Sequence, residues 1–253
     1  MYDFSIQKEM LLASSYLLKE KGLYEVSALG GGTALAAHYW DHRYSTDIDI
    51  FVHSNDDIAT LLNPNKWNST FKAMMNDLGY TGDYKINPIY TEFVIKDDFK
   101  MQFLSVIDKT DNPYNKIKLW GIDTQIESIE EIITKKIYFR ADKGNARDLF
   151  DIALAIHKDP SILNKTLLQL NKINNLYDVI YSIKNNPLLK TEYLTEISLM
   201  NPHTEYNDIA LNTIEYLETF LESYCGAVKI GMTLDNESCT EIEKYVYDEI
   251  IVS

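Results

Sequence analysis

Cysteine is almost missing from this chain: Cys225 and Cys239 are the only two in 253 residues. That is too few for a disulfide framework, and their spacing matches no metal motif, so a reduced, cytoplasmic setting fits best. Long apolar runs are missing as well. No segment approaches the roughly 18 unbroken apolar residues of a membrane span, so no membrane partner is expected. The opening MYDFSIQKEMLL lacks the basic-then-apolar pattern of a secretory signal, and export is not expected. No internal repeat or low-complexity segment occurs. Positive charge is scarce: 24 Lys and Arg stand against 38 Asp and Glu, a net charge of −14. Such a chain repels nucleic acid at long range, which argues against a non-specific DNA or RNA binder but leaves room for an enzyme whose local basic patch grips phosphate.

What is present is enough for a real core. Hydrophobic residues make up 45% of the chain, and its length suits one large domain or two modest ones. Ile6, Met10, Leu11, Leu17 and Leu18 predict an amphipathic helix over Ser5 to Lys21, stopped by Gly22. Tyr24 to Leu29 and Ile48 to Val52 read as strands, with a glycine turn and a helix over Ala34 to Tyr39 between them. Asn55 to Leu62 and Lys66 to Leu78 look helical, and Gly79 to Asn87 reads as a connection. Thr91 to Lys96 and Phe99 to Ile107 read as strands joined at Asp97-Asp98. Ser128 with Glu131 three residues on is a capping-box pattern for a helix running to about Ala141. After a turn over Asp142 to Asn145, helical patterns cover Ala146 to His157, Ile162 to Leu170, Leu176 to Ile183, Lys190 to Leu199, Asn207 to Tyr224 and Glu241 to Ile251. The fold class expected is α+β: a mixed β-sheet with flanking helices over residues 1–125, then an all-helical region over 126–253.

The stretch that carries chemistry is Gly30 to Val52, GGGTALAAHYWDHRYSTDIDIFV. Gly30-Gly31-Gly32-Thr33 between a strand and a helix lets backbone approach a ligand closely, and the helix N-terminus offers N–H groups to a phosphate. The same glycines also suit a plain tight turn, and their spacing is neither a Walker loop nor a dinucleotide fingerprint. Asp47 and Asp49, two apart, share one face of a strand. Two unpaired carboxylates in an apolar run repel each other, and a divalent cation resolves this, Mg²⁺ above all, with phosphate oxygens and water completing its shell. A solvent-exposed strand edge is the alternative. Together, a glycine-rich strand–turn–helix followed by a strand bearing D-x-D is the layout of a nucleotidyltransferase core, in which the turn holds triphosphate and the carboxylates hold Mg²⁺.

Gly30 to Leu35, His42-Arg43, Ser45 and Asp47 to Phe51 resemble the signature of the AbiEii/AbiGii family, nucleotidyltransferase-like toxins of abortive-infection and type IV toxin–antitoxin systems. Glu131, Lys136, Arg140 and then Ala146 to Asp151 resemble the family's lysine-bearing helix and its R-D-x-x-D motif. The resemblance covers roughly residues 25 to 157. It implies transfer of NMP from an NTP to an acceptor hydroxyl, with RNA or the tRNA 3′ end as acceptor and a cognate antitoxin as partner. It implies that Gly31, Gly32 and Thr33 contact triphosphate, that Ser45 bonds a phosphate or orients the metal-ligand loop, and that Asp47 and Asp49 bind Mg²⁺. Lys136 then neutralises triphosphate charge, Asp148 acts as base or as orienter of Lys136, and Arg43, Arg140 and Arg147 are further phosphate-side candidates.

One departure stands out. Many nucleotidyltransferases carry a third carboxylate on a later strand, but Gln102 occupies that place here, and a neutral amide is no general base. Asp148 substitutes, or Glu92 on the neighbouring run does so less well, or two carboxylates suffice, or catalysis is weak. Tyr39, Trp40 and Tyr44 could stack on a base or simply pack. Lys135, Lys136, Arg140, Lys143 and Arg147 are the only dense basic cluster before residue 160. Alternatives to an RNA acceptor are a protein or small-molecule acceptor, and a catalytically weak nucleotide-binding interaction protein.

Overall fold

In the computed structural model, which describes residues 2–54, 56–140, 143–166, 170–232 and 234–252, the chain divides into two units that meet in sequence at Ser128 and Ile129. Among the described residues the first unit holds seven strands, β1 (Ser27–Gly30), β2 (Ile48–Val52), β3 (Tyr84–Asn87), β4 (Tyr90–Val94), β5 (Lys100–Ser105), β6 (Tyr114–Leu119) and β7 (Ile122–Glu127). They form one mixed sheet in the order β3-β4-β5-β2-β1-β7-β6. β2 runs antiparallel to β1 and parallel to β5, and β1 runs parallel to β7. The remaining neighbours are antiparallel.

The period-two pattern of the central strands decides which side is core. Along β2, Ile48, Ile50 and Val52 are buried while Asp49 and Phe51 are partly exposed. The register sets Ile50 opposite Leu29 and Phe103, and Phe103 opposite Thr91. Around the sheet lie α1 (Ser5–Glu20), α2 (Gly31–Ala34, continuing as a π-helical turn over Leu35–Trp40), α3 (Ile58–Leu61) and α4 (Ser69–Asp77). Asn68 caps α4 by accepting from the Phe71 N–H at 2.8 Å. Trp67 just ahead of it meets the Phe71 and Phe93 rings at 4.8 and 4.9 Å. Phe93 shares its side of the sheet with Phe103, so α4 covers the apolar side and leaves the Asp49 side as the other face.

The second unit is helical: α5 (Ile129–Arg140), α6 (Ala146–Lys158), α7 (Leu170–Asn185), α8 (Pro187–Met200), α9 (Asn207–Leu211), α10 (Thr213–Lys229) and α11 (Asn236–Tyr247). α6 is its axis, with Leu149, Phe150, Ile152, Leu154 and Ile156 buried. His157 on α6 meets Glu243 Oε1 at 2.8 Å, and Tyr216 donates to the same oxygen at 2.9 Å, which ties α6, α10 and α11 together. Among the described residues no helix is long and apolar enough to cross a membrane, and Cys225 and Cys239 are free and buried.

The chain adopts the expected α+β class, a mixed sheet with flanking helices followed by helices. Three strands, however, lie where none was expected. β3 falls within the supposed connection, where Tyr84, Lys85 and Asn87 are exposed and Ile86 is only partly covered. That edge strand shows no apolar signal. β6 and β7 form a hairpin whose two-residue loop, Trp120-Gly121, has φ of 52° and 86° at the two positions, the left-handed pair of a tight hairpin turn. The alternation Ile117, Leu119, Ile122, Thr124, Ile126 was the available signal. Asn212 splits the long helix expected over Asn207 to Tyr224 into α9 and α10. The helix expected over Ile162 to Leu170 is a short 3₁₀ turn at Ile162–Lys165, with residues 167–169 outside the described residues. Ala141, Asp142 and Asn55, where a helix end, a turn and a helix start were expected, also lie outside them.

All three tryptophans, Trp40, Trp67 and Trp120, lie in the first unit, so their fluorescence reads that unit. Phe103→Ala, at a fully buried position, should lower the unfolding free energy seen by tryptophan fluorescence in urea by about 3–5 kcal/mol.

Candidate active site

The site is built on close approach between a turn and a strand. β1 ends at Gly30 and α2 starts at Gly31, whose φ is +63°. A Cβ on Gly31 would overlap Asp49 Oδ2, and one on Gly32 would overlap the Arg43 guanidinium and crowd Ser45 Oγ at 3.3 Å. Glycine is therefore required at Gly31 twice over, by its left-handed backbone and by the carboxylate beside it. The result brings Asp49, Arg43 and Ser45 to the first turn of α2, where helix N–H groups point outward without intrahelical partners.

Hydroxyls fix the loop between turn and strand. Thr33 is buried. Its Oγ1 donates to the Asp47 carbonyl and meets Ser45 Oγ at 2.8 Å. A carbonyl only accepts, so the Thr33 proton goes to Asp47 and Thr33 accepts from Ser45. Both hydroxyls thus hold the approach to β2. Gln7 on α1 adds a third clamp, its Nε2 donating to the Ser45 carbonyl at 2.6 Å. Gln7 escaped the sequence reading, although a fully buried amide on an apolar helix face is a detectable oddity. Arg43 is 2% exposed, and its Nη1 donates to the Tyr44 carbonyl at 3.1 Å.

Asp47 stands immediately before β2, and its Oδ1 accepts from the Lys100 N–H at 3.1 Å. From Asp49 the register runs straight across five strands. Gly30 faces Asp49, Asp49 faces Gln102, Gln102 faces Glu92 and Glu92 faces Lys85. Directly opposed residues lie on one face of a sheet, so this row lines the side away from α4. Gln102 Nε2 donates to Glu92 Oε2 at 3.1 Å, Tyr90 donates to the same oxygen, and Lys85 Nζ lies 3.1 Å from Oε1. Burial alone would raise the Glu92 pKa, but the Tyr90 and Lys85 hydrogen bonds and the Lys100 charge outweigh it, and the carboxyl is held below its usual range. The Tyr90 hydroxyl is pushed up by burial first, then by Glu92, Asp49 and Asp47.

Among the described residues no group of three or more His, Cys, Asp and Glu side chains could hold a metal ion. Asp47 and Asp49 remain a two-carboxylate donor set. That set fits Mg²⁺, which takes one or two carboxylates and completes its shell with phosphate oxygens and water. The absent side chain at Gly31 gives the Asp49 carboxylate its room.

In the helical unit, Lys136 on α5 is 5% exposed and lies between two carboxylates of α6, 2.5 Å from Asp148 Oδ1 and 3.0 Å from Asp151 Oδ2. Arg140 Nε holds the other Asp148 oxygen at 2.9 Å. A carboxylate clasped by two cations fixes both of them in place. Lys135 is buried with Glu131 at 2.9 Å. Of the dense basic cluster, Arg140, Lys143 and Arg147 are therefore the members that face outward. The aromatics beside the turn are engaged internally: Tyr44 stacks on Phe4 at 5.7 Å, Trp40 meets His42 edge-on at 5.4 Å, and Tyr39 donates to the Glu127 carbonyl at 2.8 Å.

The fold is that of a nucleotidyltransferase. A crystal structure of a proposed nucleotidyltransferase from Helicobacter pylori superimposes with a TM-score of 0.50 at 18% identity, covering 98% of this chain and 99% of that one. JHP933 from Helicobacter pylori gives 0.47 at 18% identity over 88% and 95%. The family described as nucleotidyl transferase AbiEii toxin, type IV toxin–antitoxin system, matches residues 16–221. The chain belongs to that family and is a nucleotidyltransferase of the AbiEii toxin type. No curated protein matches it.

Gly31→Ala should cost the first unit roughly 1–2 kcal/mol from backbone strain alone, read by tryptophan fluorescence in urea. Lys136→Met leaves Asp148 and Asp151 buried without it. It should destabilise the helical unit by about 3–5 kcal/mol, read by circular dichroism at helical wavelengths.

Proposed function

We propose that this enzyme transfers NMP from an NTP to a hydroxyl of RNA, the tRNA 3′ end in particular, with release of pyrophosphate, and that this transfer is the toxic activity that a cognate antitoxin restrains in the cytoplasm. The observation that carries the proposal is the seating of the Asp49 carboxylate in the space a side chain on Gly31 would fill. It joins a candidate metal ligand to a helix N-terminus suited to phosphate. We assign the glycine turn and the D-x-D carboxylates to a nucleotidyltransferase-like domain of residues 1–125, and Lys136 and Asp148 to a helical domain of residues 126–253.

In this mechanism the N–H groups of Gly31, Gly32 and Thr33 bind the triphosphate, and Arg43 adds a fixed positive charge there. Ser45 and Thr33 hold the Asp47 approach to β2 through their hydrogen bonds. Mg²⁺ held by Asp47 and Asp49 shields phosphate charge and polarises the α-phosphate when bound. Within the helical unit Asp148 orients Lys136, a role supported by their 2.5 Å pairing. Arg140, bonded to Asp148, belongs to the same network.

The burial of Lys135 and Lys136 favours an alternative acceptor, a protein or a small molecule, because less of the basic cluster is left to meet an RNA backbone. One assay separates the two. Each labelled NTP is incubated with Mg²⁺ and total RNA, and in parallel with lysate protein. Label in RNA is expected, and label only in protein or small molecules would replace the RNA acceptor. Asp47→Asn, or chelation of divalent cations, should cut transfer at least about a hundredfold. The substitution should also abolish growth inhibition on expression. Toxicity that survives Asp47→Asn would break the link between transfer and toxicity.

A further inference from the structure

We propose that Glu92 is the proton acceptor for the attacking hydroxyl, acting from β4 in the role that a carboxylate at Gln102 would play from β5. This rests on the nucleotidyl-transfer function proposed above. The register is the first support: Asp49, Gln102 and Glu92 stand directly opposite one another on three adjacent strands, and so on one face of the sheet. Strands lie about 4.8 Å apart, so Glu92 begins one spacing farther from Asp49 than Gln102 does. Its side chain is one methylene longer than that of aspartate, and the Gln102 amide draws Oε2 toward β5 with a 3.1 Å hydrogen bond.

The partners of Glu92 are the second support. It is 3% exposed, a costly position for a carboxylate without a use or a full set of donors. Gln102 and Tyr90 both donate to Oε2, while Oε1 meets only the end of Lys85, whose side chain is 73% exposed. A long, solvated lysine is easily displaced, and Oε1 is then available to an acceptor hydroxyl. The other acids are committed elsewhere. Asp47 and Asp49 are the proposed metal ligands, Asp148 is clasped by Lys136 and Arg140, and Glu127 faces His53 at 3.3 Å.

The step balances without another reagent. The hydroxyl oxygen bonds to the α-phosphorus as its O–H bond breaks and the proton passes to Glu92. The bond from the α-phosphorus to the bridging oxygen breaks, and its electron pair leaves with pyrophosphate. Glu92 then returns its proton to water.

The test is a carboxylate exchange. Glu92→Gln should retain the NTP-induced thermal stabilisation of wild type in Mg²⁺ while transfer falls at least about a hundredfold. The double variant Glu92→Gln with Gln102→Glu puts the carboxylate back on β5 and should recover transfer to within about tenfold of wild type. Transfer by Glu92→Gln within a few fold of wild type overturns the proposal. So does parallel loss of NTP binding and transfer, or an exchange that recovers nothing. A wild-type enzyme that transfers to no acceptor would sink the nucleotidyl-transfer function itself, which the variant comparison tells apart.

Discussion

Everything in the first unit depends on one intimate contact, the Asp49 carboxylate lying where Gly31 has no side chain. That contact demands a left-handed residue without a Cβ at the start of α2, so the turn must be glycine. It demands that β2 lie beside β1 with Asp49 opposite Gly30. It also demands a rigid loop from the turn to β2, which the Thr33, Ser45 and Gln7 hydrogen bonds supply from three elements. A carboxylate so close to helix N–H groups sits in a favourable local field, which lets an acid occupy a strand whose alternate residues, Ile48, Ile50 and Val52, are core.

Three cations of this protein are buried and held in place, Arg43, Lys135 and Lys136. Arg43 is 2% exposed against Gly32. Lys136 sits between Asp148 and Asp151, and Lys135 is paired with Glu131. Buried pairs of this kind gain little net stability but fix geometry, since removing one partner leaves an uncompensated charge. The acidic balance of the whole chain and the pairing of its buried cations point the same way: in the proposed reaction, attraction of the triphosphate is local and directional rather than spread over a basic surface.

The strands nearest the chemistry were legible because their side chains serve two masters in alternation. Ile48, Ile50 and Val52 announce a strand, and Asp47 and Asp49 interrupt it with acids at the same period. The α5 and α6 pairing was half legible. Motif spacing singled out Lys136 and Asp148, but no periodicity says that they touch, because contact between helices depends on how their faces meet. The edge strand β3 was invisible, since a strand with little buried surface has no apolar alternation to show. The β6–β7 hairpin was missed because its turn, Trp120-Gly121, uses tryptophan at a left-handed position that most sequences fill with asparagine, aspartate or glycine. Glu92 was named only as a weak substitute because a linear reading cannot supply register. The pairing of β4 with β5 makes it the direct neighbour of Gln102.

Register also gives the proposed reaction a direction. Phosphoryl transfer runs with attacking and leaving oxygens roughly in line, so donor and acceptor must approach from opposite ends. Along the row Gly30 of the glycine turn stands at one end with Asp49 beside it, Gln102 lies in the middle, and Glu92 and Lys85 lie beyond. The proposed reaction then requires the leaving pyrophosphate at the glycine turn and the α-phosphorus on the β5 side of it. In the proposed reaction the acceptor hydroxyl arrives over Gln102 and Glu92, two and three strands away from β1. With the carboxylate on β4 rather than β5, the Gln102 amide stays hydrogen-bonded to Glu92 without adding a third negative charge beside Asp47 and Asp49.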